Sequence, residues 1–464
     1  MGRGRSSMKE TSFIEQVAGE IGAKLQFLDS LATSSFLAGM GRIEWEWIDD
    51  ALARFMFYYP LFMAYVWMIG ATVYYWRYER RGVEDSLTEP NTSVLPKVSI
   101  LIPCHNEAEN IRETIAYCSA QNYPDFDILA INDGSRDNTL DILGELQESN
   151  PRLRIINLAS NQGKAVGLRS AALLTDSEYL VCIDGDALLS PDAIGWMVRH
   201  FIENPQVGAV TGNPRIRNRS TLLGRVQVGE FSAIVGMIKR AQRLYGRIFT
   251  ISGVIGAFRS SALREVGYWS PDMVTEDIDI SWKLQLAGWD IHFEPNALCW
   301  VLMPETLNGL WKQRTRWAQG GVEVLIRYFK SMWSWRARSM WPLYLETMIS
   351  IGWSFLVFAS IVFLPLELFH ESRREQLEDL SPSWTSMLLS ITCLIQFATS
   401  LLIDARYERK TGGLSRYYYW MIWYPIVYWL INVGTTVNGF FRAIRKKRGQ
   451  RAIWLTVDRG LRQR

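Results

Sequence analysis

Apolar positions fall into two kinds of run along this chain. Four runs carry no charged side chain and reach the roughly 20 residues a bilayer-crossing helix needs: Phe55–Trp76, Thr347–Leu366, Trp384–Ile403 and Tyr417–Phe441. Between the first and second the runs shorten. Val98–Pro103, Asp127–Asn132, Leu153–Leu158 and Tyr179–Ile183 are each bounded by polar residues, and the first three are followed by a helical pattern. Short continuous apolar runs are what parallel strands, buried on both faces, require. Gly208–Thr211, the glycine-rich Ser252–Phe258, Ile291–Glu294 and Ala297–Leu302 add further strand signals, and Gly224–Leu244 reads as one helix. Strands alternating with helices predict an α/β domain with a doubly wound, mostly parallel sheet.

The pattern divides the chain into a tail with some amphipathic character (1–54), a first transmembrane helix (55–76), a linker (77–93), the α/β domain (94–305), interfacial helices (306–341), three apolar transmembrane helices (342–441) and a basic tail (442–464). The interfacial stretch holds Trp333, Trp335, Arg336, Arg338 and Trp341. Tryptophan and arginine there suit headgroup level. No cleavable signal peptide is visible.

Charge sharpens the topology and also strains it. Arg77, Arg80 and Arg81 after the first span favour the cytoplasmic side. A cytosolic domain followed by three full spans leaves the C-terminus outside, yet Arg442, Arg445, Lys446, Lys447, Arg448 and Arg451 say inside. Net charge is only +3, so no global field recommends nucleic acid as a partner. The cysteines (Cys104, Cys118, Cys182, Cys299, Cys393) form no CxxC pair, so reduced thiols are expected. His105, His200, His292 and His370 are too scattered in sequence to suggest a metal cluster.

Candidate chemistry collects after strand ends, where open α/β sheets bind ligands. Asp184-Gly185-Asp186 follows an apolar strand. Two carboxylates there suit Mg²⁺, which completes its shell with phosphate and water, or make a solvated turn. Asp133 beside Gly134 suits a base or ribose, or forms a turn. Lys164 suits a phosphate, or is a solvated loop lysine. Thr275-Glu276-Asp277 reads as a helix start with Thr275 as cap, or as a general base, Asp277, positioned by Glu276. Gln313, Arg316 and Trp317 share one face if helical. Arg215, Arg217, Arg219 and Arg225 read as a solvated or lipid-facing surface.

In this order, Pro103–Glu107, Asp133-Gly134-Ser135, Gly163-Lys164, Asp184-Gly185-Asp186, Thr275-Glu276-Asp277 and Gln313–Trp317 resemble the processive inverting family 2 glycosyltransferases, the group of cellulose, chitin and hyaluronan synthases. Tyr179–Leu188, Thr211–Glu230, Pro304–Gly321 and the flanks Phe55–Trp76 and Trp341–Arg464 look most like members that make the poly-N-acetylglucosamine of bacterial biofilms. The resemblance implies a cytosolic GT-A domain joined to interfacial and transmembrane helices in the bacterial inner membrane. It implies Asn106 and Glu107 at the nucleotide site, Asp133 on uridine, Lys164 and Asp184 on the nucleotide sugar, Asp186 on Mg²⁺ or Mn²⁺, and Asp277 as base. Gln313, Arg316 and Trp317 would hold the diphosphate and border the acceptor.

The same likeness implies UDP-N-acetylglucosamine as donor, a growing β-1,6-linked poly-N-acetylglucosamine chain, membrane lipid contact, a small membrane partner subunit and activation by cyclic di-GMP. No residues identify that regulatory site. A chitin- or hyaluronan-type synthase, or a non-processive transferase making a lipid-linked sugar, is the alternative. A degenerate scaffold is disfavoured by the intact carboxylates, and a two-metal phosphohydrolase by the lack of a second ligand cluster. One departure is that residues 11–40 are more polar than the family's leading apolar segment.

Overall fold

The computed structural model describes residues 45–80, 95–367, 384–411, 413–447 and 449–453. The expected tail up to residue 44, most of the linker and the last part of the basic tail lie outside the described residues. The chain divides into two compact units, Met1–Phe55 and Met56–Arg464. The described part of the first is the start of helix α1 (Trp45–Tyr74), where Arg54 pairs with Asp50 at 2.7 Å.

The second unit is built on an eight-stranded sheet. Its strands are β1 (Val98–Cys104), β2 (Phe126–Asp133), β3 (Leu153–Leu158), β4 (Tyr179–Ile183), β5 (Leu188–Leu189), β6 (Val207–Ile216), β7 (Ile255–Arg259) and β8 (Asp290–Val301), in the order β3-β2-β1-β4-β7-β6-β8-β5. The β3-β2-β1-β4 half is parallel, with Val98 opposite both Phe126 and Tyr179. Strand β7 is antiparallel to β4 and β6, and β8 is parallel to β6.

Successive side chains of a strand point to opposite faces, and both faces here are covered. Ile100, Ile102, Ile128 and Val181 join one apolar layer, while Leu101, Leu129 and Leu180 join the other. Full burial of each such side chain is worth about 1.5–3 kcal/mol. Helices α2 (Ile111–Ser119), α3 (Thr139–Ser149), α4 (Lys164–Leu173), α5 (Ala193–Glu203), α6 (Leu222–Glu230), α7 (Ile238–Tyr245), α8 (Ser260–Glu265) and α9 (Glu276–Leu286) complete the α/β part.

Two expected elements differ in detail. The helix expected over Gly224–Leu244 is α6 and α7 joined by a π segment, Phe231–Met237. The two closing strands are one, β8, whose register shifts at Thr211/Asn213. Pro295 has no N–H for the ladder, and Asn213 Nδ2 bonds the Pro295 carbonyl at 2.9 Å instead.

Helix α10 (Leu307–Tyr328) leaves the sheet toward the apolar elements α11 (Trp341–Glu367), α12 (Trp384–Asp404) and α13 (Trp429–Arg445). Among the described residues three helical stretches are long and apolar enough to cross a bilayer: Asp50–Glu79, Trp335–Phe363 and Trp384–Glu408. The fourth apolar run is not one helix. It is a 3₁₀ stretch, Ser415–Trp423, then a π turn, Tyr424–Tyr428, then α13. Pro425 denies the turn an amide donor. Tyr417 and Met421 are buried with Val226 and Val228 of α6, so this segment packs on the α/β part.

Of the four arginines expected at a solvated or lipid-facing surface, Arg217 is exposed, Arg219 and Arg225 are half-buried, and Arg215 is inside. Arg215, 2% exposed, meets Asp404 at 2.7 Å. Arg240 joins Asp404 (2.8 Å) to Glu79 (2.6 Å), and Arg219 pairs with Glu408 at 2.7 Å. Arg217 pairs with Glu113 at 2.8 Å, and Arg225 lies over the Trp420 ring. The reason is that Glu79, Asp404 and Glu408 end the candidate spans, and charges excluded from water must pair.

Candidate active site

The turns after β1, β2 and β3 are tied to one another. Asn106 takes a left-handed conformation (φ 57°), which asparagine tolerates. Its N–H donates to Ser135 Oγ at 3.0 Å, and its Oδ1 accepts from Arg136 N at 2.8 Å. Glu107 is buried, and its N–H donates to Thr139 Oγ1 at 2.8 Å. Asp133 is fully buried. Its two carboxylate oxygens accept from Gln162 N (2.7 Å) and Gly163 N (2.8 Å). Gly163 sits at φ 90°, a conformation other residues strain to reach, and this bend starts α4 at Lys164.

Lys164 thus points across the sheet ends. Its Nζ donates to Asp184 Oδ1 at 2.6 Å and to the Gly253 carbonyl at 2.9 Å, and lies 3.2 Å from Glu276 Oε1. Burial works against the ammonium, but Asp184 and then Glu276 outweigh it and raise its pKa. Asp186 lies one turn on. Burial first, and then the Asp184 charge, push its carboxyl up to about 7. The Asp184–Asp186 turn therefore sets two carboxylates on the wall of one cavity. A hard divalent cation, which uses one or two carboxylates and takes its other oxygens from phosphate and water, fits that donor set. Among the described residues no group of three or more His, Cys, Asp or Glu side chains forms an all-protein cage.

Asp277 stands in the first turn of α9, half-buried. Its Oδ2 accepts from Gly253 N at 3.1 Å, and its Oδ1 from Ile278 N at 3.0 Å. A Cβ at Gly253 would come within 2.8 Å of that Oδ2, so any larger residue there would displace the Asp277 carboxylate. Burial, then Glu276, push Asp277 up to about 6 against the pull of Lys164 and Arg316. Thr275 does not act as the expected cap. Its side chain caps no amide, and its Oγ1 is buried without a partner. It packs instead against Gly320 of α10, where a Cβ would fall 1.8 Å from that oxygen.

Helix α10 is capped by Thr306 Oγ1, which accepts from Gly309 N at 3.1 Å. Gln313, Arg316 and Trp317 face one cavity with Lys164, Asp184, Asp186, Glu276 and Asp277. Gln313 is buried, and its Oε1 has no partner. The cavity is about 1420 Å³, above the roughly 300–1,000 Å³ of a single small-molecule site, so two reactants fit. Asn106, Glu107 and Asp133 are not among its lining residues. They shape the turns that carry the others.

Sequence reasoning missed several participants. Arg314, beside Arg316, turns away from the cavity. Its Nη2 bonds buried Glu230 at 2.6 Å, and its guanidinium lies 4.2 Å from the Trp317 ring centroid, bracing that ring. The basic C-terminal residues Arg442, Arg445, Lys446 and Arg451 line the same cavity. Lys446 Nζ bonds Glu323 Oε2 at 2.8 Å, Arg451 bonds Gln162 Oε1 at 2.5 Å, and Ala452 N donates to Pro271 O at 2.9 Å. Basic residues without a local partner were the available signal. All five cysteines are buried, and none forms a disulfide.

The sequence profile described as "Glycosyltransferase like family 2" matches residues 96–320. The chain is 40% identical over 413 residues to the poly-beta-1,6-N-acetyl-D-glucosamine synthase of Staphylococcus epidermidis, a match covering 89% of this chain and 99% of that one. The protein of the same name from Staphylococcus aureus (strain COL) matches with the same identity and coverage. Among solved structures, a mannosyltransferase from Pyrobaculum calidifontis in complex with GDP-Man and Mn²⁺ superposes with a TM-score of 0.50 at 18% identity, over 84% of this chain and 99% of that one. That likeness concerns the fold.

Proposed function

The chain belongs to the family 2 glycosyltransferases, and we propose that it is an N-acetylglucosaminyltransferase that extends a β-1,6-linked poly-N-acetylglucosamine chain from UDP-N-acetylglucosamine. The observation that carries this is the cavity itself. A carboxylate poised near neutrality, Asp277, stands between a Lys164–Asp184 pair and the Gln313/Arg316/Trp317 face. The 40% identity to synthases of that polymer over nearly their whole length supports the choice of sugar.

In this reading Asp277 takes the proton from the primary hydroxyl of the acceptor's terminal sugar. That oxygen bonds to the anomeric carbon of the donor as the bond to UDP breaks, and the electron pair leaves on the diphosphate. One displacement inverts the α-linked donor to a β-linked product. Mg²⁺ or Mn²⁺, held by Asp186 beside Asp184, would supply charge stabilisation on the leaving group. Arg316 faces the same space and shares that task, Gln313 offers its unpaired carbonyl to a ligand N–H or O–H, and Trp317 gives the acceptor a flat surface. Glu276 keeps Lys164 charged and in place. The uridine is proposed to lie against the turns held by Asn106, Glu107 and Asp133.

We further propose a multi-pass protein of the bacterial inner membrane with its catalytic side in the cytosol. Two C-terminal spans followed by a packed, non-spanning segment return the chain to its starting side, in accord with Arg442 and Arg445 lining the cavity of Asp277. A small membrane subunit and stimulation by cyclic di-GMP remain part of the proposal through the family resemblance, and addition of each to purified protein tests them as a rise in rate.

The experiment is incubation of the purified full chain with a panel of UDP-sugars and Mg²⁺ or Mn²⁺. UDP release and polymer are expected with UDP-N-acetylglucosamine, and a β-1,6-specific hydrolase should degrade the product. Preference for UDP-glucose, or a product that resists this hydrolase, would refute the reading.

A further inference from the structure

Lys239 lies in the cavity wall beyond Asp277, in α7 just after the π segment. It is 5% exposed. Its Nζ donates to Thr211 Oγ1 at 2.9 Å, and the same oxygen accepts from Ser252 N at 2.9 Å. The next residue, Gly253, donates to Asp277 and accepts from Lys164. Two lysines therefore brace one turn. Lys164 stands on the side of Asp184 and Glu276. Lys239 shares its part of the wall with Gln242 and with Phe231, Ile234 and Ile238, toward Trp67 of α1.

Among the described residues Lys239 makes no ion pair at salt-bridge distance, and Thr211 Oγ1 is its hydrogen-bond acceptor. Burial without a carboxylate partner pushes the ammonium down to about 7, with the Asp277 charge acting the other way. A buried charge left this way is costly, and methionine would fill the space without that cost. An ammonium carries three N–H donors. With one spent on Thr211, two remain in the ammonium form and one in the neutral amine for the cavity that this side chain lines.

We propose that Lys239 is an acceptor-binding residue: its free donors hold oxygens of the terminal N-acetylhexosamine of the growing chain and fix the approach of the attacking hydroxyl to Asp277. This rests on the transferase reading above. The substrate group is an uncharged hydroxyl or acetyl carbonyl, and the two lysines reach the Ser252–Gly253 turn by different contacts, Lys164 on the Gly253 carbonyl and Lys239 through Thr211.

The test uses the full chain in detergent, with UDP release followed against added β-1,6-linked N-acetylglucosamine oligomers at saturating donor, and UDP affinity measured by calorimetry. Lys239→Met is expected to raise the half-saturating oligomer concentration roughly 10- to 100-fold, the range for losing a hydrogen bond from a charged donor, with UDP affinity within about twofold. Lys239→Arg keeps a charge in altered geometry and should raise it severalfold at unchanged UDP affinity, which serves if the methionine variant does not fold. Unchanged oligomer dependence in a folded variant overturns the proposal. So does a parallel loss of UDP affinity in both variants, which marks a merely structural lysine. No UDP release from the unaltered protein would instead overturn the transferase reading on which the assignment stands.

Discussion

Asp277 joins chemistry and pH dependence in one side chain. Its carboxyl is pushed up to about 6, so it holds its proton below that pH and accepts one above it. With metal saturating, kcat/KM should climb about tenfold per pH unit below 6 and level off above. A profile flat from pH 4.5 to 7.5 would remove Asp277 from the role of base. The bracing of Trp317 is testable as well. Glu230 and Arg314 are 2% and 6% exposed and pair at 2.6 Å. Breaking a buried pair costs about 3–5 kcal/mol, so Glu230→Ala should lower the urea midpoint and depress polymer synthesis. An unchanged midpoint would mean that the pair contributes nothing. Residue identities at this scale were legible wherever a motif is local. Asp184-Gly185-Asp186 and Thr275-Glu276-Asp277 each follow or begin an element that the apolar pattern marks. Arg314 was not legible, because its partner lies 84 residues away and only the fold joins them.

At the scale of elements, α10 carries the Gln313, Arg316 and Trp317 face and is pressed between α9 and α13. Gly320 makes room for Thr275 on one side. On the other, Gly439 of α13 lies so near α10 that a Cβ would come within 2.7 Å of Gln319 N. Overpacking a well-filled contact costs about 1–3 kcal/mol. Gly439→Leu should shift α10 and cut polymer synthesis at least tenfold. Full synthesis by that variant would show that the α10–α13 contact is slack. Periodicity revealed α10 and most strands, since each is a local pattern. It did not reveal the breaks at Pro425 and in β8. There the outcome depends on packing: Met421 against α6, and Asn213 answering the Pro295 carbonyl.

For the whole molecule, packing bears on the conflict between apolar runs and positive charge and supports the proposed return of the chain to the cytosolic side. Residues 415–428 cover α6, and α13 returns the basic residues to the cavity of Asp277. A fluorescent reporter after Arg464 should light up in the cytosol, and activity of a periplasm-dependent reporter there would reverse the proposed topology. Buried arginine pairs such as Arg215–Asp404 link residues 189 positions apart, a separation no sequence pattern exposes. The central claim is that this cavity transfers N-acetylglucosamine with Asp277 as base. The most direct measurement sets the purified chain beside Asp277→Asn with UDP-N-acetylglucosamine and Mg²⁺, following polymer formation and UDP binding together. The account predicts polymer from the unaltered chain, none from the variant, and UDP affinity alike in both. Polymer from Asp277→Asn at the unaltered rate would contradict it.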